Sequence, residues 1–309
     1  MALFKKTCVF DPGSCSFRLY DPESRQTCSL RSCLAVQDQK VLCSEEAIRA
    51  SMSDPFLRLR YPYSQGQALM DIFPLFDRLV SETRQKTGTP ASSILIVHAE
   101  DASESEKMKL QNLAIDAGFR KISFASTMDV LSRDFSLVIH AGHSCTEIGV
   151  RHGRKNLIYK KIIYGAQQMD EAIMDLIASK YRALLFAEDA AALRRAASNA
   201  FWENRNPILS CTVLDQSNQY VRISFPAIDL WPAMQSVLDQ IVLWVKTLIA
   251  RNGPDLMERI LRRPILLSGG LSECFGLSQL LEQELHKKIT IVPGGEECLI
   301  RAACSKKFI

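Results

Sequence analysis

The feature that most constrains this chain is a glycine-tipped turn between two short apolar strands, which occurs once in each half. Thr7 to Phe10 make an apolar run, Asp11-Pro12-Gly13-Ser14-Cys15-Ser16 follow as a turn of small residues, and Phe17 to Tyr20 resume the strand. Far downstream, Leu137 to Ile139 are again apolar, His140-Ala141-Gly142-His143-Ser144-Cys145-Thr146 make the turn, and Glu147 to Val150 resume. Polar residue, spacer, glycine, short residues and cysteine align in both. A hairpin with a wide glycine tip, once per half, predicts two related lobes.

A third glycine turn, Ser268-Gly269-Gly270-Leu271-Ser272, follows the apolar strand Ile265 to Leu267 and leads into a helical pattern from Glu273 through Leu285. Strand, glycine turn and helix start together present backbone N–H groups to a phosphate. Between these turns lie further α/β units. Ile94 to Val97 and Ile122 to Phe124 read as strands, and Glu104 to Ala117 as a helix closed by Gly118. Met169 to Tyr181 reads as a helix with Asp170 and Glu171 in its first turn, where carboxylates complement the dipole. Glu188 to Ala200 is a helix, Val221 to Phe225 a strand, and Glu296 to Cys304 a last helix. Strands alternating with helices mark an α/β protein. One lobe is expected over residues 1–134, with the terminal helix 296–309 packing back on it, and the other over 135–295.

A length of 309 residues suffices for two lobes with separate cores, and 47% hydrophobic with 23% charged residues is ordinary for a globular chain. A net charge of +4, without blocks of like charge, gives no reason to expect nucleic acid or anionic lipid as a partner. Met1 to Lys6 lack the apolar core and cleavage site of a signal peptide, so a cytoplasmic location is expected. Leu230 to Ala250 is apolar but holds Pro232, Asp239, Gln240 and Lys246, which makes it a poor membrane span. Its Met234, Leu238, Ile241, Val242, Val245, Leu248 and Ile249 recur at helical spacing and read as the buried face of a helix. The ten cysteines contain no CxxC pair and read mostly as small reduced core residues.

Two glycine hairpins facing each other across a cleft can grip the phosphates of a nucleotide. Backbone amides of Gly13, Ser14 and Cys15, beside Ser16, would hold one side, and those of Gly142, His143 and Ser144, beside Cys145, the other. Glycine serves where the chain approaches phosphate closely or takes positive φ. A carboxylate at the mouth of each hairpin would hold water around Mg²⁺. Asp11 stands at the first mouth and His140, a poor Mg²⁺ ligand, at the second. Either hairpin alone reads first as a tight turn without a ligand; both together, with Gly269-Gly270, point to a nucleotide. A second reading groups His140, His143, Cys145 and His152 as zinc ligands.

These segments resemble the phosphate 1, phosphate 2 and adenosine motifs of the actin, sugar-kinase and heat-shock chaperone superfamily, and in detail the MreB family of bacterial actin-like proteins. Lys40-Val-Leu-Cys-Ser-Glu-Glu-Ala47 is similar to the family's strand ending Gly-Glu-Glu-Ala, and Arg60-Tyr-Pro-Tyr-Ser-Gln-Gly-Gln67 to its Arg-Pro-Leu-x-x-Gly segment. Ser105 to Gly118 is similar to its helix beginning Val-Glu-Arg-Arg, and Gly165-Ala-Gln-Gln-Met-Asp-Glu-Ala-Ile173 to Gly-Gly-Asp-x-x-Asp-Glu-Ala-Ile. Leu266-Leu-Ser-Gly-Gly-Leu-Ser-Glu-Cys-Phe-Gly-Leu277 is similar to Leu-Thr-Gly-Gly-Gly-Ala-x-x-x-Gly-Leu. The resemblance implies an actin-like ATPase fold: two related lobes of β-sheet flanked by helices, with ATP or ADP and Mg²⁺ in the cleft between them. It implies that Asp11 lies near the metal and that Glu106 orients the attacking water, although Glu106 reads equally as an exposed helix residue paired with Lys107 or Lys109. Arg194 falls at the basic position of the adenosine-contacting helix, and Gly269, Gly270, Leu271 and Ser272 fall at the adenine and ribose side.

The chain departs from the family where phosphate should approach. The motif Asp-Ile-Gly-Gly-Gly-Thr-Thr-Glu reads His140-Ala-Gly-His-Ser-Cys-Thr-Glu147, Leu271 replaces a glycine, and Gly-Gly-Asp becomes Gly165-Ala166-Gln167. Each change removes a carboxylate or adds bulk, which predicts weakened Mg²⁺-dependent hydrolysis; a protonated His143 would add positive charge for a phosphate. The resemblance implies a cytoskeletal protein that forms filaments with itself and guides cell shape and wall synthesis together with membrane proteins of that machinery. Met1, Leu3, Phe4, Lys5 and Lys6 allow at most a peripheral membrane contact. The competing expectation is a non-polymerising pseudo-ATPase or adaptor that scaffolds division, pilus or wall-synthesis machinery.

Overall fold

The structure, a computed structural model, describes residues 7–54, 56–87 and 92–305. The N-terminal Met1 to Lys6 therefore lie outside the described residues. The chain divides into two compact units, Met1–Ser132 with Glu296–Ile309, and Arg133–Gly295.

The first unit opens with the strands β1 (Thr7–Pro12), β2 (Ser16–Asp21) and β3 (Gln26–Arg31). A small two-stranded sheet follows, β4 (Leu34–Gln37) with β5 (Lys40–Cys43), then α1 (Glu45–Ser53) and the short pair β6 (Tyr63–Ser64) and β7 (Gln67–Ala68). Next come α2 (Phe73–Thr87), β8 (Ser93–His98), α3 (Glu104–Asp116), β9 (Lys121–Ser126) and α4 (Thr127–Leu131). The main sheet runs β3-β2-β1-β8-β9. Its first three strands are antiparallel, and β1, β8 and β9 are parallel.

The second unit opens in the same way, with β10 (Leu137–Ala141), β11 (Thr146–His152) and β12 (Lys155–Ile162). It continues with α5 (Ala166–Tyr181), α6 (Ala187–Trp202), the hairpin β13 (Ile208–Leu214) and β14 (Tyr220–Pro226), and α7 (Trp231–Ala250). α8 (Pro254–Leu261), β15 (Ile265–Ser268), α9 (Leu277–Leu285) and β16 (Ile289–Ile291) complete it, before α10 (Cys298–Ser305) returns to the first unit and packs on α4 and β1. Its sheet runs β12-β11-β10-β15-β16, again three antiparallel strands, followed by β15 parallel to β10 and β16 parallel to β15. The duplicated hairpin of the sequence is thus part of a duplicated sheet.

The central strands of each sheet, β1 and β8 in the first and β10 and β15 in the second, are buried along nearly their whole length, as parallel strands covered on both faces must be. In the first unit Phe10, Phe17 and Phe76 are fully buried, with the Phe10 and Phe17 rings edge-on at 5.5 Å. In the second, Ile139, Ile148, Met169, Ile173, Leu238 and Leu267 share one core. α7 lies within the longest apolar helical stretch, Ala227–Ala250, which is long and apolar enough to cross a membrane by length and composition alone. Its Met234, Leu238, Ile241, Val242 and Val245 are buried in that core, whereas Leu248 and Ile249 are only half-buried. None of the ten cysteines, all within the described residues, forms a disulfide.

Several boundaries differ from expectation. α5 begins at Ala166, three residues early, so Asp170 lies beyond the first turn and serves another purpose described below. After Gly270 the chain makes a short 3-10 turn to Glu273, and α9 starts only at Leu277. The break falls at Gly276, whose φ of 97° suits glycine and whose missing Cβ makes room for Trp231 and Leu238. The last α-helix starts at Cys298 because Gly295–Glu297 form a 3-10 turn.

Candidate functional site

The two glycine turns share one backbone frame. In the first, the Gly13 amide donates to the Ser16 carbonyl at 3.1 Å, and in the second the Gly142 amide donates to the Cys145 carbonyl at 2.9 Å. The expectation that these two amides grip phosphate is corrected: both close their own turns. Of the two reasons for glycine, positive φ does not apply, since neither residue takes it. Close approach explains the residue type, because a Cβ on Gly13 would sit 2.7 Å from the Ser16 oxygen and one on Gly142 would sit 3.1 Å from the Cys145 oxygen. The frame also shifts the cysteines out of step, with Cys145 at the place of Ser16 and Cys15 at the place of Ser144.

At the mouth of the first turn, Asp11 lies opposite Arg18 across the hairpin. Both are buried, and Arg18 Nη1 is 3.6 Å from Asp11 Oδ2. Arg18 Nη2 donates to Glu296 Oε2 at 2.6 Å, tying the turn to the segment that leads into α10. A second guanidinium, Arg31 at the end of β3, donates through Nη1 to Cys15 Sγ at 3.1 Å. No local sequence pattern marks either arginine. The signal was available in the hairpin pairing, which places residue 18 opposite residue 11, but it needs the turn length to be known.

At the mouth of the second turn the equivalent cross-strand pair is His140 with Glu147. His140 Nδ1 lies 3.0 Å from Ser268 Oγ at the end of the neighbouring strand β15, and buried Glu147 accepts from Tyr159 Oη at 2.7 Å. The start of α5 docks on this turn: the amides of Ala166 and Gln167 donate to the carbonyls of Gly142 and His143 at 3.1 and 2.8 Å. Gly165 permits this, since any Cβ there would collide with the His143 carbonyl. Gly269, at φ 90°, approaches from the other side, where a Cβ would collide with the Ala141 carbonyl.

The remaining expected site residues are engaged as follows. Gly270 is exposed, Leu271 is fully buried in the core, and Ser272 Oγ donates to the Gly269 carbonyl at 2.7 Å. Arg194 is buried, with Nε donating to Asp170 Oδ1 at 2.7 Å, and so clamps α6 to α5. Burial pushes the Asp170 carboxyl above its ordinary range, against the pull of Arg194. Glu106 is buried rather than exposed: Oε2 accepts from the Ala68 amide at 3.1 Å and Oε1 from Lys109 Nζ at 2.6 Å, while Lys107 pairs with Glu104. Glu106 also sits in the cap of α3, where the Ser103 side chain accepts from its amide. Ser14 is half-buried at the first tip and Ser144 is buried at the second.

The zinc grouping does not hold. His152 is exposed, stacks on Phe135 at 4.6 Å, and stands at the far end of β11 from Cys145. Among the described residues no group of three or more His, Cys, Asp or Glu side chains is arranged to hold a metal ion. Mg²⁺, which the fold family implies, requires oxygen donors with net negative charge. The first turn answers with a carboxylate already faced by a buried guanidinium, and the second with an imidazole opposite a glutamate that already accepts from Tyr159; neither mouth taken by itself fits Mg²⁺.

A glycine turn between the first two strands of a five-stranded mixed sheet, built twice in one chain, defines a protein of the actin-like ATPase fold. Over 98% of this chain and 96% of that one, the structure is similar to MreB5 of Spiroplasma citri bound to ADP, with a TM-score of 0.84 and 15% identity. It is similar to the MamK double helical filament over 96% and 97% of the two chains, with a TM-score of 0.74 and 15% identity. The family model described as MreB/Mbl protein matches residues 72–307, and the chain belongs to that family. In sequence it is similar to the cell shape-determining protein Mbl of Bacillus subtilis (strain 168), 20% identical over 222 residues that cover 72% of this chain and 67% of the relative. It is equally similar to the cell shape-determining protein MreB of Pasteurella multocida (strain Pm70), 20% identical over 224 residues, 69% of this chain and 64% of that one. The matches thus span about two-thirds of the length of these curated relatives.

Proposed function

We propose that this chain is an MreB-like cytoskeletal protein that binds ATP and ADP through its two glycine turns, assembles with copies of itself, and hydrolyses nucleotide weakly. The observation that carries the reading is the repeated turn frame, Gly13 to Ser16 and Gly142 to Cys145, in a chain of this family. Relatives whose names state ADP, a nucleotide analogue or a filament support it. Guidance of cell shape and wall synthesis from the cytoplasm, with membrane proteins of that machinery as partners, follows from the same kinship.

Weak hydrolysis follows from residues. His140 stands where the family has an aspartate, and Glu106 is engaged by the Ala68 amide and Lys109. These same residues favour a second reading, a pseudo-ATPase adaptor that binds nucleotide or partners without cycling. Nucleotide binding, phosphate release and sedimentation of purified protein, measured beside the variant His140→Asp, separate the two. Nucleotide-dependent pelleting with slow turnover supports the filament reading, and binding without pelleting supports the adaptor. Absence of nucleotide binding overturns both in their nucleotide-dependent form.

A further inference from the structure

We propose that the second unit docks on an anionic lipid surface through a row of arginines and lysines at one end of its sheet. The inference goes beyond the nucleotide reading and does not depend on it, and every residue it uses belongs to that one unit.

The row follows from the topology. Parallel strands of a sheet begin at the same end, and their antiparallel neighbours stop there. β10, β15 and β16 begin at the end away from the glycine turn, where β11 stops and β12 starts. Arg133 precedes β10, Arg154 and Lys155 make the connection from β11 to β12, Arg263 precedes β15, and Lys287 and Lys288 precede β16. Arg259 of α8 joins them, 5.5 Å from the ring of Phe135 just before β10. These cations are spread along an end of five strands. Four inter-strand spacings make that end about 19 Å wide. In the sequence no more than two of them are adjacent, so it is the sheet that gathers the charge.

The row is not neutralised. All of these side chains are exposed, and none is paired with a carboxylate among the described residues. The neighbouring acids have other tasks. Asp134 accepts from the Gly153 amide and faces His152, Glu258 pairs with Arg262, Glu282 accepts from the Ile289 amide, and Asp255 lies in the first turn of α8. Nor is the charge a by-product of the duplicated sheet. The corresponding connection in the first unit, from β2 to β3, carries Asp21 and Glu23 against Arg25.

A broad basic edge fits an anionic leaflet, where each lysine or arginine held near the surface strengthens binding about fivefold. No large apolar side chain of segments 133–137, 150–157, 256–265 and 285–290 is exposed, so the contact stays at the headgroups. Nucleic acid fits less well. The only phenylalanine, tyrosine or tryptophan in these segments is Phe135, which is half-buried and already stacked on His152 at 4.6 Å, leaving no open platform for a base.

The test is flotation of the full-length protein with lipid vesicles, which keeps bound protein apart from self-assembled protein that sediments. Wild type is expected to float with vesicles containing phosphatidylglycerol, not with pure phosphatidylcholine, and to be released as salt is raised. The combined variant Arg154→Gln, Lys155→Gln, Arg263→Gln and Lys288→Gln is expected to bind at least about a hundredfold more weakly. A control with the same loss of charge on exposed residues of the first unit, Arg25→Gln, Arg58→Gln, Lys86→Gln and Lys121→Gln, is expected to stay within about threefold of wild type. Thermal melting checks that both variants fold, and the wild-type comparison of the two lipids stands without them. Flotation that survives in the row variant, or falls equally in both variants, overturns the inference. So does a wild type that ignores phosphatidylglycerol, including one that binds a single-stranded oligonucleotide instead.

Discussion

The first and second glycine turns have the same skeleton and different contents. In both, a glycine amide reaches the carbonyl three residues on, the first strand continues parallel into a neighbour, and the second returns antiparallel. At the mouth, one holds an aspartate–arginine pair and the other a histidine facing a glutamate. The surroundings differ as well. The second turn is braced from both sides by Gly165 and Gly269, each in a place with no room for a Cβ. The backbone frame is a condition of folding, because its hydrogen bonds must be satisfied in a buried setting. The side chains at the mouth are held only by their chemistry and can diverge while the frame persists.

Substitutions can test that division. The largest effect is expected from Gly269→Ala, which adds a Cβ both at positive φ and against the Ala141 carbonyl; a loss of about 3 kcal/mol or more should appear in urea unfolding. Next comes Arg194→Met, which strands buried Asp170 without its partner and should cost about 3 kcal/mol by the same measurement. The double variant Arg194→Met with Asp170→Leu is expected to recover a large part, since it removes the stranded charge. Asp11→Asn should cost less, about 1–2 kcal/mol, because Arg18 keeps Glu296 as a partner. If Asp11→Asn proves as damaging as Arg194→Met, the first mouth is part of the frame rather than its contents. The smallest effect is expected from Lys109→Ala, below about 1 kcal/mol in thermal unfolding, because that side chain is half-exposed and Glu106 retains the Ala68 amide.

The sequence made the duplicated frame readable because a glycine among small residues between apolar strands is a local pattern. It did not make the contents of the first mouth readable. Arg18 sits inside an apolar strand and faces Asp11 only through a register fixed by the Gly13–Ser16 hydrogen bond. The start of α9 is hidden from the sequence for a different reason. Helical periodicity persists through Cys274 and Phe275, and what stops the helix is the packing of Gly276 under Trp231 and Leu238, which are distant in sequence. By periodicity alone α5 starts at Met169 and Asp170 belongs to its dipole; the hydrogen bonds of Ala166 and Gln167 to the second turn pull the start forward and turn Asp170 toward Arg194. In each case the deciding contact is long-range.

The docking of α5 on the second turn has a mechanical consequence. The turn is fastened to α5 by two amide hydrogen bonds, α5 to α6 by Arg194 and Asp170, and α6 to the chain after Gly269 by Ser198 accepting from the Phe275 amide and Trp202 donating to the Glu273 carbonyl. Gly269 then closes the circuit against Ala141, at the foot of the turn where it began. A closed chain of short links has no slack, so a shift of a few tenths of an ångström at any link must be taken up by the others. The turn, α5, α6 and the Gly269–Phe275 segment are thereby coupled, so a displacement of the turn is expected to be passed on to α5 and α6.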